Sequence, residues 1–178
     1  MPDLIVCEKV TKDKLRLFRD FHCGQDRWAR AVAEWITGRS PECAARDIEN
    51  RRCKVYLYRN QAGQVIGFGA VGTTNGEWPN AEDPRIPVAI VPWLGLHSDF
   101  HGKPNGPNEV RYSDQILADL VYKAKATGRK YVVLFVDPEN QAAIRLYQRN
   151  GFDRSDKPLL AGEHMGMSLN LDSVPDVP

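Results

Sequence analysis

Cysteine is scarce in this sequence, and the few cysteines form no recognisable pattern. The 178 residues contain four, Cys7, Cys23, Cys43 and Cys53, with no Cys-x-x-Cys pair and no histidine at metal-ligand spacing. The sequence therefore gives no signal for a disulfide framework or a structural zinc site. We predict free, buried thiols and expect no metal ion.

Long apolar runs are missing as well. The first ten residues, MPDLIVCEKV, contain one apolar run of four residues, which is too short for the core of a signal peptide. No later segment approaches the length of a membrane span. We therefore expect a cytoplasmic protein without a membrane partner.

Neither sign of charge dominates. Lys and Arg number 24, Asp and Glu number 23, and the net charge of +1 predicts no general attraction to nucleic acid or anionic membranes. A hydrophobic content of 42% and a charged content of 26% are typical of a soluble globular protein. The length fits one domain over 1–178 with a frayed tail at 173–178, and a homodimer is compatible with the sequence.

The first half of the chain alternates short elements with clear turn signals. Apolar residues at helical spacing predict one helix with a core-facing stripe made of Trp28, Val32, Trp35 and Ile36. The predicted elements are a strand at Leu4–Val10, a helix capped by Thr11, a helix at Gln25–Thr37, a helix starting at Ser40-Pro41-Glu42, and a hairpin of Lys54–Arg59 and Val65–Thr73.

A polar segment, TNGEWPNAEDPR at 74–85, follows the hairpin. Its composition predicts a solvated loop. Trp78 beside Glu77 and two further carboxylates alternatively suits the entrance of a site for a cationic amine. Both interpretations stay open, and in the second one Trp78 and Glu77 bind the substrate.

The next apolar stretch, Ile86–Leu96, is predicted to be an irregular strand. Pro87 and Pro92 each remove a backbone donor, which indicates a bulge or an interrupted edge. A helix with the sequence SDQILADLVYKAKATG follows, and we predict that it is capped by Ser113.

The most informative stretch is YVVLFVDPENQAAIRLYQRNGF at 131–152. The β-branched and aromatic run Tyr131–Val136 predicts a central strand that is covered on both faces. Asp137 is the predicted N-cap of a helix that ends before Gly151. Asn140 and Tyr147 are about two helical turns apart, so their side chains lie on nearly the same face.

This stretch resembles the second half of the GCN5-related N-acetyltransferase (GNAT) fold, in which a strand and a short loop precede Asn, an Ala-x-x-Leu-Tyr helix and Gly-Phe. The resemblance implies an α/β fold: a mixed, mostly antiparallel sheet with helices on both faces and a splayed central strand pair. It also implies transfer of an acetyl group from acetyl-CoA to the primary amine of a small molecule or peptide, by direct attack in a ternary complex.

The resemblance further implies residue roles. Asn140 would contact the pantetheine or phosphate part of acetyl-CoA, Tyr147 would protonate the leaving thiolate, and Leu96 on the splayed strand would pair with the pantetheine. Direct attack needs an unprotonated amine and therefore a base, since alkyl ammonium pKa values lie near 10. His97 is a candidate for the base, and Glu77 is a weaker one.

The phosphate-binding loop departs from the family pattern R/Q-x-x-G-x-G/A. Read forward from His101, the segment HGKPNG places Pro104, which donates no amide, at the first glycine. Read back from the following helix, NEVRYS places Arg111 and Ser113 at the glycine positions. We prefer the second alignment because backbone amides at a helix start attract anions.

The preferred alignment predicts a phosphate site of backbone amides with two added cations, Arg111 as a bidentate grip and Lys103 as a point charge. The predicted cofactor contacts are Leu96, Lys103, Arg111, Tyr112, Ser113, Asp114 and Asn140.

Two alternative functions stay open. The segment FHCGQDRW, Phe21–Trp28, is similar to the F-x-C-G segment of toxin-type acetyltransferases that act on aminoacyl-tRNA, although a tight turn at Gly24 above a packed Cys23 explains it more simply. The near-neutral charge also counts against tRNA as a partner. The altered phosphate loop is compatible with a non-catalytic, acyl-CoA-binding regulatory protein.

Overall fold

The computed structural model describes residues 5–75, 86–105, 110–155 and 164–176. The strands are β1 Val6–Lys9, β2 Cys53–Arg59, β3 Val65–Thr74, β4 Val88–Ile90, β5 Leu94–Leu96, β6 Tyr131–Val136, β7 Asp153–Arg154 and β8 Met165–Asn170. The α-helices are α1 Arg27–Thr37, α2 Ala44–Glu49, α3 Tyr112–Lys125 and α4 Gln141–Arg149. Three 3₁₀ segments lie at Lys12–Phe18, Ser98–Phe100 and Leu171–Ser173.

The strands form one open, mixed sheet of eight strands. Seven follow the order β1-β2-β3-β4-β6-β8-β7, and β5 pairs with β3 outside this path. Among the strand pairs whose register is described, β4 with β6 is parallel and the others are antiparallel. The predicted α/β class with a mostly antiparallel sheet is therefore confirmed.

The chain divides into two compact units. The first consists of Met1–Ala70 and Trp93–Leu117, and the second of Val71–Pro92 and Ala118–Pro178. The prediction of one domain over 1–178 stays a prediction.

An aromatic cluster forms the centre of the first unit. The Trp35 ring stacks on Phe68 at 5.7 Å and on Trp93 at 5.1 Å between ring centroids. Phe18 and Phe21 meet Phe68 edge to face at 5.6 and 5.5 Å. Each such pair adds about 0.5–1.5 kcal/mol beyond the area it buries. The stripe predicted on α1 therefore faces the core through Trp35 and Ile36, each 1% exposed.

Helices cover both faces of the sheet in this unit. Consecutive residues of a strand point to opposite faces. Phe68 points toward Trp35 of α1, whereas a Cβ atom at Gly67 would lie 3.0 Å from Ile116 of α3. The same atom would lie 2.5 Å from the Gly95 carbonyl oxygen, so only glycine allows β3 and β5 to approach this closely.

In the second unit, β6 has the predicted bounds and pairs with β8 along its whole length, from Tyr131↔Asn170 to Val136↔Met165. Val132, Val133 and Leu134 are buried, whereas Phe135 is 44% exposed. The prediction that this strand is covered on both faces is therefore wrong at Phe135.

The predicted start of α4 is also wrong. Asp137 Oδ1 accepts a hydrogen bond from Glu139 N at 2.8 Å and the Asp137 carbonyl accepts one from Asn140 N at 2.9 Å, so Asp137 opens a turn instead of the helix. Asn140 is the N-cap, and its Oδ1 accepts from Ala143 N at 3.1 Å. The α4 helix ends at Arg149, and Gly151 has a φ of +84°.

Two other helix starts differ by a few residues. Cys43, with φ −134° and ψ 164°, is still extended, so α2 begins at Ala44 and not at Pro41. The amides of Asp114 and Gln115 donate to the Arg111 carbonyl at 3.0 and 3.2 Å. Arg111 therefore occupies the capping position of α3, and Ser113, the predicted cap, is already inside the helix.

The four cysteines, all among the described residues, form no disulfide: Cys23 and Cys53 are buried, Cys43 is partly buried and Cys7 is exposed. The prediction of buried thiols is therefore wrong for Cys7. Among the described residues, no helix has the length and apolar character needed to cross a membrane.

Candidate functional site

The irregular strand predicted at Ile86–Leu96 loses one of its two pairing partners at Pro92. Before this proline, β4 pairs with β3 and with β6, and the Val91 amide donates to the Val133 carbonyl at 2.9 Å. After it, β5 pairs with β3 through Phe68↔Gly95 and its neighbours. The proline therefore interrupts the strand, as the sequence predicted.

Leu96 presents its backbone groups away from β3. Alternate residues of this segment direct their backbone groups toward β3 instead. The Ala70 amide donates to the Trp93 carbonyl at 2.9 Å, and the His97 amide donates to the Ile66 carbonyl at 2.7 Å. The Leu96 carbonyl accepts a hydrogen bond from His101 Nε2 at 2.9 Å.

The Leu96 backbone also hydrogen-bonds the thiol of Cys23. Burial, with a smaller contribution from Asp26, raises the pKa of this thiol to about 12. The resemblance predicted that Leu96 pairs with pantetheine; within its own unit, this backbone is already held by Cys23 and His101.

The inserted phosphate loop closes on itself. Pro104 and Arg111 form an isolated antiparallel bridge, and the Asn105 amide donates to the Val110 carbonyl at 2.7 Å. The Asn105 side chain, 1% exposed, donates through Nδ2 to Gln115 Oε1 of α3 at 2.8 Å. The loop is thereby attached to the first turn of the helix that the second alignment selected.

The predicted phosphate contacts lie around that helix start. Arg111 and Lys103 are exposed. Tyr112 is 6% exposed, and its ring meets Phe100 edge to face at 5.1 Å. The backbones of Tyr112 and Ser113 lie at the positive end of α3, while the Asp114 amide donates to the Arg111 carbonyl. This combination suits an anion near Arg111.

Asn140 is the N-cap of α4 and Tyr147 lies within this helix, both in the second unit. In the described part of the chain, Asn140 Nδ2 makes no hydrogen bond, because the cap uses only Oδ1. The Tyr147 ring packs against Phe152 at 6.0 Å between centroids, and no described residue hydrogen-bonds its hydroxyl. Burial raises the pKa of Tyr147 to about 12, so the phenol carries its proton at neutral pH.

His97 lies in the first unit, at the end of β5. Its Nδ1 accepts from the Asp99 amide at 3.3 Å and lies 3.7 Å from the Asp99 carboxylate. Burial and the neighbouring His22 lower the pKa of His97, against the opposing effect of Asp99. The imidazole is therefore neutral at neutral pH, with its proton on Nε2 in this geometry.

Sequence reasoning missed the role of His22. Its ring centroid lies 4.3 Å from that of His97, and its Nδ1 is 2.9 Å from the Ser98 hydroxyl oxygen. The Ser98 amide also donates to the His22 carbonyl at 3.1 Å. His22 stands at the variable position of the F-x-C-G segment, so the motif itself does not single it out.

Trp78 and Glu77 lie outside the described residues, so their assignment to the acceptor stays a prediction. Asn105 and Gln115 were missed because no local pattern pairs an asparagine in a loop with a glutamine ten positions later. Among the residues that the structure covers, no group of three or more His, Cys, Asp or Glu side chains is placed to hold a metal ion.

Comparison with known proteins places this geometry in context. No family model matches the chain. A curated relative, the L-methionine sulfoximine/L-methionine sulfone acetyltransferase of Pseudomonas aeruginosa, is 28% identical over 131 residues, which are 70% of this chain and 69% of the relative.

Solved structures share the fold at lower identity. AtaTR bound with AcCoA superposes with a TM-score of 0.67 and 16% identity, over 96% of this chain and 95% of that one. AtaT complexed with acetyl-methionyl-tRNAfMet gives a TM-score of 0.63 and 17% identity, over 96% and 97%. These similarities show that the chain has the GCN5-related N-acetyltransferase fold, and the curated relative, which is an acetyltransferase, agrees with the resemblance found in the sequence.

Proposed function

We propose that this protein acetylates the primary amine of a small molecule or peptide by direct attack on acetyl-CoA in a ternary complex. The observation that carries the proposal is Tyr147: a protonated phenol whose hydroxyl has no partner among the described residues, on the helix that Asn140 caps. A phenol with a pKa of about 12 keeps its proton at neutral pH, so the Tyr147 hydroxyl can donate a hydrogen bond or its proton to the sulfur as negative charge develops there.

The reaction forms one bond and breaks one. The amine nitrogen attacks the thioester carbonyl, the new C–N bond forms, and the C–S bond breaks. One proton leaves the amine for a base, and Tyr147 donates one to the sulfur, so the products are an N-acetyl amine and free CoA. No oxidant or metal ion is required.

We assign the base to His97. Its neutral imidazole at neutral pH is the form that accepts a proton. Nδ1 is engaged by the Asp99 amide, so acceptance at Nε2 requires the other tautomer, with the Nδ1 proton facing the Asp99 carboxylate 3.7 Å away. Asp99 would then stabilise the imidazolium that forms.

We assign the phosphates of acetyl-CoA to the start of α3. Arg111 is exposed at the capping position and can form two parallel hydrogen bonds with a phosphate. Lys103 adds positive charge, and the Asn105–Gln115 hydrogen bond holds the loop that carries it. Asn140 Nδ2 is the proposed donor to the pantetheine or phosphate part.

Release of free CoA with a panel of amines tests this proposal. We expect thiol release that requires both acetyl-CoA and an amine, with N-acetylated product detected by mass spectrometry. Binding of acetyl-CoA in calorimetry without turnover of any amine would contradict catalysis and support the regulatory alternative. No heat at millimolar acetyl-CoA would contradict the cofactor site itself.

A second candidate function, acetylation of aminoacyl-tRNA, has one structural observation in its favour. The F-x-C-G segment packs on the end of β5 through Cys23–Leu96 and His22–Ser98, so it forms part of the candidate site. The structural neighbour AtaT is solved with acetyl-methionyl-tRNAfMet. Growth arrest on expression, with acetylated aminoacyl-tRNA in the cells, would favour this function over the first.

A further inference from the structure

We propose that a cavity of about 310 Å³ beside His97 is the acceptor site, and that it selects amines that also carry an anionic group, such as the carboxylate of a free amino acid. This inference rests on the proposed N-acetyltransferase function and names the substrate class. The residues on which it depends are Arg16, Arg19, Asp20, His97 and Asp99, all in the first unit.

The position of the cavity follows from the strand that carries His97. Backbone groups of a strand point along the sheet, whereas side chains point out of it. The Leu96 backbone is directed away from β3, and the next side chain, His97, leaves the sheet on the face where Phe21 packs against it at 5.7 Å. The cavity therefore begins one residue after Leu96, at the end of β5.

Two arginines give the cavity its anion-binding character. Arg16 and Arg19 line it, both are exposed, and neither guanidinium forms an ion pair or hydrogen bond with a residue in the described part of the chain. A guanidinium binds a carboxylate through two parallel hydrogen bonds. Two guanidinium groups in the lining, with no ion pair to a described residue, match a ligand that brings its own negative charge.

Two carboxylates and an imidazole provide the groups that attract and deprotonate the amine. Asp20 and Asp99 line the same cavity and attract the ammonium form of an amine as it approaches, while His97 is the group that can take its proton. Small-molecule sites start at about 300 Å³, so the volume suits an amino acid. The charges of the lining and of a zwitterion are therefore complementary.

A larger cavity nearby lacks this combination. It has a volume of about 430 Å³ and also includes Arg16 and Arg19, but its described lining contains no histidine and no carboxylate. It can attract an anion but offers no group to deprotonate an amine. The chemistry therefore selects the smaller cavity.

The test compares acceptors that differ in one charge. L-methionine and L-methioninamide have the same side chain, but only the acid has a carboxylate, and because the amide's amine is the weaker base the rates are compared per unprotonated amine. We expect kcat/KM to be at least about tenfold higher for the acid, the usual effect of one charge-assisted hydrogen bond. Equal kcat/KM for both would overturn the inference while leaving N-acetyltransferase activity intact.

Arginine variants locate the effect. Arg16→Gln and Arg19→Gln should raise KM for L-methionine about tenfold and leave kinetics with L-methioninamide unchanged. Arg30→Gln, an exposed arginine of α1 outside the cavity, is the matched control and should change neither. Equal losses with both acceptors would assign the arginines a structural role and contradict the inference.

A binding measurement keeps the inference testable without turnover. In protein saturated with CoA, NMR titration with L-methionine should shift the ring signals of His97. L-methioninamide should cause the same shifts only at about tenfold higher concentration. If these shifts occur but no amine is acetylated, the result contradicts the proposed catalysis and supports the proposed binding site. Absence of the shifts, or shifts of equal midpoint, would overturn the site.

Discussion

Asn105 and Gln115 are joined by a side-chain hydrogen bond, from Asn105 Nδ2 to Gln115 Oε1 at 2.8 Å, that attaches the inserted loop to the first turn of α3. Asn105 is 1% exposed, so this bond is shielded from water. In the preferred alignment Arg111 and Ser113 stand where the family has glycine or alanine, and the buried Asn105–Gln115 pair holds the loop. The position of Arg111 is linked to this pair through the Pro104–Arg111 bridge.

Replacing Asn105 with Ala should therefore weaken the phosphate site. The change removes the partner of Gln115 Oε1 and costs about 1–3 kcal/mol if this oxygen stays buried. We expect KM for acetyl-CoA to rise about tenfold while KM for acetyl-pantetheine, which lacks the phosphates, stays the same. Asn60→Ala, which removes the exposed Asn60–Gln64 pair, is the control. Equal losses with both donors would contradict a role confined to the phosphates.

Tyr147→Phe should separate chemistry from binding. The ring still packs on Phe152, and only the hydroxyl is lost. We expect kcat to fall roughly a hundredfold to ten-thousandfold, the usual contribution of a positioned acid, with nearly unchanged affinity for acetyl-CoA. Tyr122→Phe, on the exposed side of α3, is the matched control. An unchanged kcat where chemistry limits the rate would exclude Tyr147 as the acid.

The pH dependence of kcat/KM should report His97. The pKa of His97 lies below the ordinary value of 6.5, so the imidazole stays neutral to lower pH. We therefore expect kcat/KM to decrease on acidification only at a pH below 6.5. Asp99 raises the pKa of His97, whereas His22 and His101 lower it. Asp99→Asn should therefore move the acid limb to lower pH. A limb that does not move, or that moves to higher pH, would contradict His97 as the base.

Gly95→Ala should destabilise the first unit. A Cβ atom at this position would lie 2.5 Å from Phe68 Cε1 and 2.8 Å from Val32 Cγ1, both in the packed layer between β5 and α1. Overpacking of this kind costs about 1–3 kcal/mol, measurable as a lower midpoint in urea unfolding. At Gly38, with φ +78° and open space around it, alanine should cost only the backbone strain of about 1–2 kcal/mol.

The fold was predictable where one pattern dominates a segment. The run at Tyr131–Val136 and the stripe ending at Trp35 and Ile36 gave correct elements, because burial of apolar side chains decides both. Helix starts were less predictable. Asp137 and Asn140 are both good caps on composition, and the choice depends on a turn that Asp137 closes with the Glu139 amide.

The site was predictable only in part, because its contacts join segments far apart in sequence. Asn140 and Tyr147 could be proposed together as site residues because they lie at the cap and within the same helix. The His22–Ser98 contact spans 76 positions, and no local periodicity signals such a pair. Contacts of this kind depend on how the 3₁₀ segments and strand ends meet in the first unit, which composition does not encode.

The burial of two cysteines also decides how this protein behaves toward thiol-reactive dyes. Cys23 and Cys53 are buried, and burial raises the pKa of each to about 12, so neither supplies the thiolate that attacks a disulfide reagent. A dye that reports free CoA should therefore be consumed by the folded protein at Cys7 and Cys43 at most. Cys7, exposed on β1, is consequently the natural attachment point for a fluorescent label that leaves β5 and its thiol contact undisturbed.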